Sequence, residues 1–333
     1  MGYIVGIDQG GTKTYAALMD RQGKLWSDYK CEGCYFPRDG VEAALAVISK
    51  AVTNALKIAE VRIEEVEIIV AGVTGIDYEG DEAMMEEALQ NIYPDIKIVV
   101  CNDCEIAYYS GSLNPIGAVI CAGTGINAAL FAPDGRKFVM GDYLKSSLQG
   151  GAAISKRALE AVVEADLGAL AKTNLTNLFL EFSQEEKVYD LLRRFITDEE
   201  FSLEIISLVP QIIESANNND EVARNILDSF SKELCACFLA ALKRMNMLDL
   251  NCDIVLAGSV FKGPTNYLVQ IMAKELLTTA KNIKIINANY EPIVGACILG
   301  VISLVGNYDE KMNENTINSA AKWGLLRSSP QAN

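Results

Sequence analysis

The stretch Tyr3-Ile-Val-Gly-Ile-Asp8-Gln-Gly-Gly-Thr-Lys-Thr-Tyr-Ala-Ala-Leu-Met-Asp20 decides the fold. Residues 3–7 and 15–19 are short apolar runs, and Gly10-Gly11 between them is a turn signal, so the segment predicts a β-hairpin. Glycine at the tip permits positive φ and lets backbone N–H groups approach an anion with no Cβ in the way. Thr12 and Thr14 can add hydroxyl donors, and Lys13 a cation. Asp8 cannot meet a phosphate directly without repulsion. A carboxylate beside a phosphate loop therefore points to Mg²⁺ between them, reached through water because Mg²⁺ dehydrates reluctantly. On these residues alone, a plain hairpin with a polar tip fits equally well.

The pattern returns later in Gly117-Ala-Val-Ile-Cys-Ala-Gly123-Thr-Gly125-Ile-Asn-Ala-Ala-Leu-Phe131. Between the hairpins lie a strand over 24–31, an amphipathic helix over 40–60, a strand over 66–73 closing in Thr74-Gly75, a helix over 80–92 and a strand over 96–101. Asn102-Asp103 then opens another helix. Asp103 can serve as its cap, or it can be a carboxylate fixed at the carboxyl end of a strand, where α/β sheets place their ligands.

After the second hairpin come a strand over 137–140 and a helix over 148–165 introduced by Gln149-Gly-Gly151. Residues 172–248 read as almost wholly helical, with breaks near Thr197 and over 217–220. A strand over 252–257 closes in Gly258-Ser259, followed by a helix over 264–279, a strand over 283–286 and a helix over 292–304. A polar helix over 309–326 would bury Met312, Ile317, Ala320, Ala321 and Trp323, and residues 328–333 are expected to be disordered. The repeated hairpin predicts a duplicated α/β fold with a cleft between the halves. The expected domains are 1–114 and 115–308, with a helical insertion over 166–248 and the helix over 309–326 packing back on the first domain.

A chain of 333 residues is too long for one ordinary core. Its 44 acidic and 29 basic residues give a net charge of −15, which opposes binding to nucleic acid or anionic membranes. No apolar run is long enough to span a bilayer and no signal sequence opens the chain, so a cytoplasmic protein is expected. There is no histidine. That removes Ser-His-Asp and Cys-His catalysis and His-ligated metals, and leaves acid–base work to a carboxylate.

Nine cysteines include Cys31-x-x-Cys34 and Cys101-x-x-Cys104, which invites a four-thiolate zinc or cluster site. If the strands before these pairs are opposite edges of a five-stranded sheet, about 19 Å separates them, and only a reaching loop could unite them. The other cysteines lie in apolar runs and read as reduced core residues.

These motifs, in this order, resemble the BadF/BadG/BcrA/BcrD ATPase family of the actin-like superfamily, and within it N-acetylglucosamine kinase and glucosamine kinase. The likeness is carried by Gly6-Ile-Asp-Gln-Gly-Gly-Thr-Lys-Thr14, Gly72-Val-Thr-Gly75, Asn102-Asp103, Gly123-Thr-Gly-Ile-Asn127, Pro133-Asp-Gly135, Leu256-Ala-Gly-Ser259 and Glu291-Pro-Ile-Val-Gly-Ala296. The resemblance implies two actin-like (ribonuclease H-like) domains with an interdomain nucleotide cleft. It also implies ATP-dependent phosphorylation of a hydroxyl on a sugar or amino sugar, with ATP and Mg²⁺.

Residue by residue, it makes Gly10, Gly11, Thr12 and Lys13 the first phosphate loop and Gly123, Thr124 and Gly125 the second. Gly258 and Ser259 would sit at the adenosine, and Gly295-Ala296 in a helix at the interdomain hinge. Asp103 would be the general base and Asp8 would hold Mg²⁺ through water. Thr74, Gly75, Asn102, Asn127 and Gln149 would line the substrate, and a homodimer has family precedent.

The departures fall where the substrate is read. Cys34-Tyr-Phe-Pro37 stands where these kinases carry an asparagine. Gly141-Asp-Tyr and Leu148-Gln-Gly-Gly151 stand where they carry Gly-Trp-Gly and Asp-Glu-Gly-Ser, so Leu148 and Gln149 replace carboxylates. Two alternatives stay open. One is an ATPase activator of a reductase or dehydratase with an iron–sulfur cluster at a dimer interface, faintly matched by Cys121-Ala-Gly-Thr-Gly125, although no cysteine follows until Cys235. The other is a nucleotide-binding sensor that has lost its chemistry.

Overall fold

In the computed structural model of the chain, which describes residues 2–263 and 265–327, the opening segment is a hairpin. Strand β1 (Tyr3–Gln9) pairs antiparallel with β2 (Lys13–Asp20), from Tyr3 opposite Asp20 to Gln9 opposite Thr14. Next come β3 (Leu25–Glu32), α1 (Phe36–Asp39), α2 (Val41–Ala59), β4 (Val66–Val73), α3 (Asp81–Ile92), β5 (Lys97–Asn102) and α4 (Asp103–Tyr109). The sheet order is β3-β2-β1-β4-β5, with β4 parallel to β1 and β5 parallel to β4. Strands β3 and β5 are thus the two edges, as the cysteine argument required.

The second sheet begins with β6 (Gly117–Ala122), β7 (Ile126–Phe131) and β8 (Lys137–Val139). Then follow α5 (Gly150–Asp166), α6 (Leu175–Ser183), α7 (Val188–Thr197), α8 (Glu199–Glu204), α9 (Val209–Asn217) and α10 (Glu221–Arg244). The chain continues through β9 (Asp253–Ala257), α11 (Tyr267–Thr279), β10 (Lys284–Asn287), α12 (Pro292–Val305) and α13 (Glu310–Trp323). The order is β10-β9-β6-β7-β8; read from β8, it repeats the order of the first sheet. Contacts divide the chain into two units, residues 1–119, 253–257 and 286–333 in one, and residues 120–252 and 258–285 in the other.

Strand β1 is central and covered on both faces, which is why it reads as an unbroken apolar run. Val5 and Ile7 pack with Ala44 and Ile48 of α2, while Ile4 packs with Val294, Cys297 and Val301 of α12. Helix α12 comes close enough that a Cβ on Gly6 would lie 2.7 Å from Cys297 Sγ. It crosses α4 backbone to backbone, since a Cβ on Gly295 would run into the Ile106 carbonyl and lie 2.7 Å from the Ser110 nitrogen. The break at Thr197 has a local cause. Asp198 accepts a hydrogen bond from Phe201 N at 3.0 Å and caps α8.

The structure corrects the terminal helix. Ala320 is buried and Met312 and Ile317 pack against the core as expected, but Ala321 and Trp323 are exposed, and Thr316 and Ser319 are buried in their place. The face is polar because it is hydrogen-bonded: Thr316 Oγ1 donates to Gly23 O at 2.6 Å, and Leu25 N donates to Ser319 Oγ at 3.0 Å. Pro264 and residues 328–333 lie outside the described residues. Among the described residues, no helix is long and apolar enough to cross a membrane.

Candidate active site

The first hairpin presents an exposed tip, Gly11, Thr12 and Lys13, with Gly10 half-buried. Gly10 N donates to Lys13 O at 2.9 Å, and Gly10 O accepts from Cys34 N at 3.0 Å, which ties the tip to the loop after β3. Thr14 does not join the tip. It is fully buried, as is Gln9 opposite it, and Thr14 Oγ1 and Gln9 Oε1 have no hydrogen-bond partner. A buried hydroxyl facing the core cannot donate to a phosphate, so the tip's side-chain donors reduce to Thr12 and Lys13.

Asp8 is half-buried at the end of β1. Its carboxyl is lifted to about 7, first by burial and then by the Asp103 charge, with Lys13 opposing and Glu291 adding to the rise. Asp103 is lifted to about 6, first by burial and then by Asp77, against a stabilising hydrogen bond from the Thr74 side chain. Its Oδ1 is buried and unpartnered.

Asp103 is not the cap of α4. Asn102 is, its Oδ1 accepting from Cys104 N at 2.9 Å while its Nδ2 donates to Ile76 O at 2.8 Å and to Asp77 Oδ1 at 3.0 Å. Capping by Asn102 leaves the Asp103 carboxylate available. Asn102 itself, expected at the substrate, is buried and spends its amide on holding this turn. Thr74 N donates to Gln9 O at 2.9 Å, so the end of β1 fixes the residue that bonds Asp103.

In the second unit another group converges. Gly123 N donates to Gly125 O at 2.9 Å, Gly151 N to Gly123 O at 2.8 Å, and Ala152 N to Thr124 O at 3.0 Å. The hairpin carbonyls thereby satisfy amides at the start of α5 that an α-helix leaves free. Gly150, at φ +44°, is required there, because a Cβ would meet the Gly125 carbonyl. A Cβ on Gly123 would lie 3.9 Å from Ser259 Oγ, and Gly258, at φ +98°, passes against the Ala122 backbone.

Gln149 Oε1 accepts from Ile126 N at 3.4 Å and its Nε2 donates to Leu144 O at 3.3 Å. Asn127 Oδ1 accepts from Gly141 N and Ala128 N, both at 2.8 Å. Both amides therefore brace the loop after β8. Leu148, in the place of a carboxylate, is fully buried.

Sequence reasoning missed Asp77 and Glu291 as neighbours of the acidic pair. Asp77 follows Thr74-Gly75 by only a few residues, and that proximity was the available signal. The paired Cys-x-x-Cys segments do not converge. None of the nine cysteines is in a disulfide, and among the described residues no three His, Cys, Asp or Glu side chains gather to hold a metal. A cavity of about 310 Å³, lined by Tyr109, Ser112, Tyr290 and Tyr308 among others, lies at the far end of α4 from Asp103.

The profile of the BadF/BadG/BcrA/BcrD ATPase family matches residues 5–300. The chain is 25% identical over 301 residues to an N-acetylmuramic acid/N-acetylglucosamine kinase of Clostridium acetobutylicum, covering 90% of this chain and 98% of that one. It is 25% identical over 313 residues to an N-acetyl-D-glucosamine kinase of Dictyostelium discoideum, with coverage of 90% and 98%. A ROK family glucokinase from Streptomyces griseus, solved with glucose and AMPPNP, shares the fold with a TM-score of 0.57 at 16% identity, over 90% of this chain and 99% of that one.

Proposed function

The chain belongs to the BadF/BadG/BcrA/BcrD ATPase family, and from that premise we propose that it is an ATP-dependent kinase phosphorylating a hydroxyl of a sugar or amino sugar. The observation that carries this reading is Asp103, a carboxylate oriented by Thr74 and Asn102–Cys104 whose Oδ1 is buried and unpartnered. An acceptor hydroxyl donating to the Asp103 carboxylate would give up its proton to it as the oxygen attacks the γ-phosphorus and ADP leaves. A carboxyl near 6 is a stronger base than an ordinary aspartate and is still mostly ionised at neutral pH.

The donor side fits Mg-ATP. The exposed tip of the first hairpin offers backbone amides, Thr12 and Lys13, and the second hairpin offers Gly123, Thr124 and Gly125. Asp8 is lifted by burial and by neighbouring carboxylates, with Lys13 as the opposing cation, so a divalent cation suits its environment. Asp8 would hold Mg²⁺ through water, since Mg²⁺ keeps waters and shares phosphate oxygens. When bound, the ion supplies charge neutralisation at the transferring phosphoryl group. Gly258 and Ser259 would sit at the adenosine, as the resemblance implies.

The acceptor side differs from the pattern the resemblance implied. Leu148 is in the core and the Gln149 amide is spent on the backbone, so acceptor recognition falls to side chains near Asp103.

The test incubates the protein with ATP, Mg²⁺ and a panel of hexoses and amino sugars, and reads phosphosugar by mass spectrometry alongside ADP. Stoichiometric phosphosugar with at least one member is expected. ADP release with no phosphosugar from any member sinks the kinase reading.

A further inference from the structure

The loop after β3 ends in Cys34-Tyr-Phe, and the residues on either side of Tyr35, Cys34 and Phe36, are buried at 3% and 8% exposure, while Tyr35 is 38% exposed. An aromatic side chain turned outward between buried neighbours is held in place by its own backbone. Tyr35 N donates to Asp39 Oδ2 at 2.9 Å, and Arg38 N and Asp39 N both donate to Tyr35 O at 2.9 Å. Asp39 is fixed in turn by Arg38, whose Nε and Nη2 donate to its two oxygens at 2.7 and 2.9 Å, and by Cys34 Sγ at 3.7 Å.

The position of the ring is defined by two glycines. A Cβ on Gly11, at the phosphate tip, would lie 3.9 Å from Tyr35 Cβ. A Cβ on Gly75 would lie 2.9 Å from Tyr35 Cε2 and 2.7 Å from Pro37 Cγ, and Gly75 sits at φ +87°. The side chain therefore reaches from the first phosphate hairpin to the turn that carries Thr74, and Thr74 bonds Asp103. An acceptor oxygen must lie within reach of Asp103 and of the phosphate tip, which puts the body of the acceptor beside Tyr35.

We propose that Tyr35 is an acceptor-specificity residue whose ring, packed on Gly75, forms a platform for the apolar C–H face of a pyranose. This rests on the kinase reading above and narrows it to an acceptor class. Aromatic faces recognise flat apolar surface rather than a particular hydroxyl. The platform selects ring-closed sugars over open-chain polyols and tolerates changes of hydroxyl configuration. No amide or carboxylate from this loop enforces a single epimer, because the Asp39 carboxylate is committed to Arg38 and the Tyr35 amide.

The test compares wild type, Tyr35→Ala and Tyr35→Phe in ATP-coupled kinetics with glucose, N-acetylglucosamine, glucosamine and sorbitol. In Tyr35→Ala the pyranose KM is expected to rise roughly tenfold, the loss of one aromatic contact, with the KM for ATP unmoved, and Tyr35→Phe restores most of that loss. Equal acceptor KM values in wild type and Tyr35→Ala, or a parallel rise in the KM for ATP, overturn the proposal. A second arm measures sugar binding by saturation-transfer NMR in an Asp103→Asn background, which needs no turnover. Pyranose binding that is lost with Tyr35→Ala supports the platform even if no phosphosugar forms. Pyranose binding that survives Tyr35→Ala refutes the platform while leaving the kinase reading standing. Binding of no pyranose at all, or of sorbitol equally well, also overturns it.

Discussion

The two hairpins differ more in what their side chains do than in how their backbones run. In each, the carbonyl of the first glycine is pinned by an amide from another loop: Gly10 O by Cys34 N at 3.0 Å, Gly123 O by Gly151 N at 2.8 Å. Two residues before that glycine stands Asp8 in one and Cys121 in the other, and four residues after it stand Thr14 and Asn127. Asp8 sits among Asp103, Glu291 and Lys13 with its carboxyl lifted to about 7. The second hairpin spends its carbonyls on the start of α5. Thr14 buries an unsatisfied hydroxyl, whereas Asn127 accepts two amides. The duplicated turn supplies the same backbone device twice, and the charged side chains gather at one copy.

The largest way to break this contrast is at Gly150. Gly150→Ala forces a Cβ into the Gly125 carbonyl at a positive φ, and should destabilise the protein by about 3 kcal/mol in urea unfolding. A variant as stable as wild type would show that the second hairpin is not held by this close approach.

A smaller effect is expected at Asn102, on the side of the first hairpin. Asn102→Ala removes the cap of α4 and the hydrogen bonds its amide donates to the Ile76 carbonyl and Asp77, at a cost of about 2 kcal/mol. Its turnover should fall alongside stability, since Asp103 is the next residue. Full activity in a destabilised variant would separate the clamp from the base.

The raised carboxyls give a pH signature of opposite sign to a salt-bridged acid. Asp103, at about 6, and Asp8, at about 7, both sit above 3.8 in the folded chain, so the folded protein holds protons that the unfolded chain releases. Stability is therefore fullest below about pH 4 and declines as pH rises through 6 and 7. In nucleotide-free protein at pH 8, Asp103→Asn should raise stability by about 1 kcal/mol and leave it unchanged at pH 4. Destabilisation at pH 8 contradicts this.

The smallest effect comes from the matched pair of hairpin residues. Thr14→Val removes an unsatisfied buried hydroxyl and should be neutral or stabilising by under ~1 kcal/mol, while Asn127→Leu, which strands Gly141 N and Ala128 N, should destabilise. Two losses of equal size would erase the distinction between the copies.

Much of the strand framework was legible because it follows from periodicity and turn glycines. Val66–Val73 is the strand that its largely apolar, β-branched run predicts, and the sheet order puts β3 and β5 at opposite edges. The polar face of α13 was not legible. Thr316 and Ser319 are buried by hydrogen bonds to the β2–β3 turn, nearly three hundred residues away in sequence, and periodicity alone favours the apolar residues. The choice between cap and free carboxylate at Asp103 stayed open in the sequence for a related reason. Asn102 and Asp103 are both good caps, and only the backbone shows that Asn102 takes the position and Asp103 is left over. The hydrogen bonds that Gln149 and Asn127 make to loop amides were not legible either, because those partners are not encoded locally.

The central claim is that Asp103 is the base. It is tested most directly by measuring phosphosugar formation and ATP binding side by side in wild type and Asp103→Asn. A loss of turnover of roughly 10³-fold with ATP affinity unchanged is the expected result. Turnover within a few-fold of wild type, or equal loss of ATP binding, would contradict it.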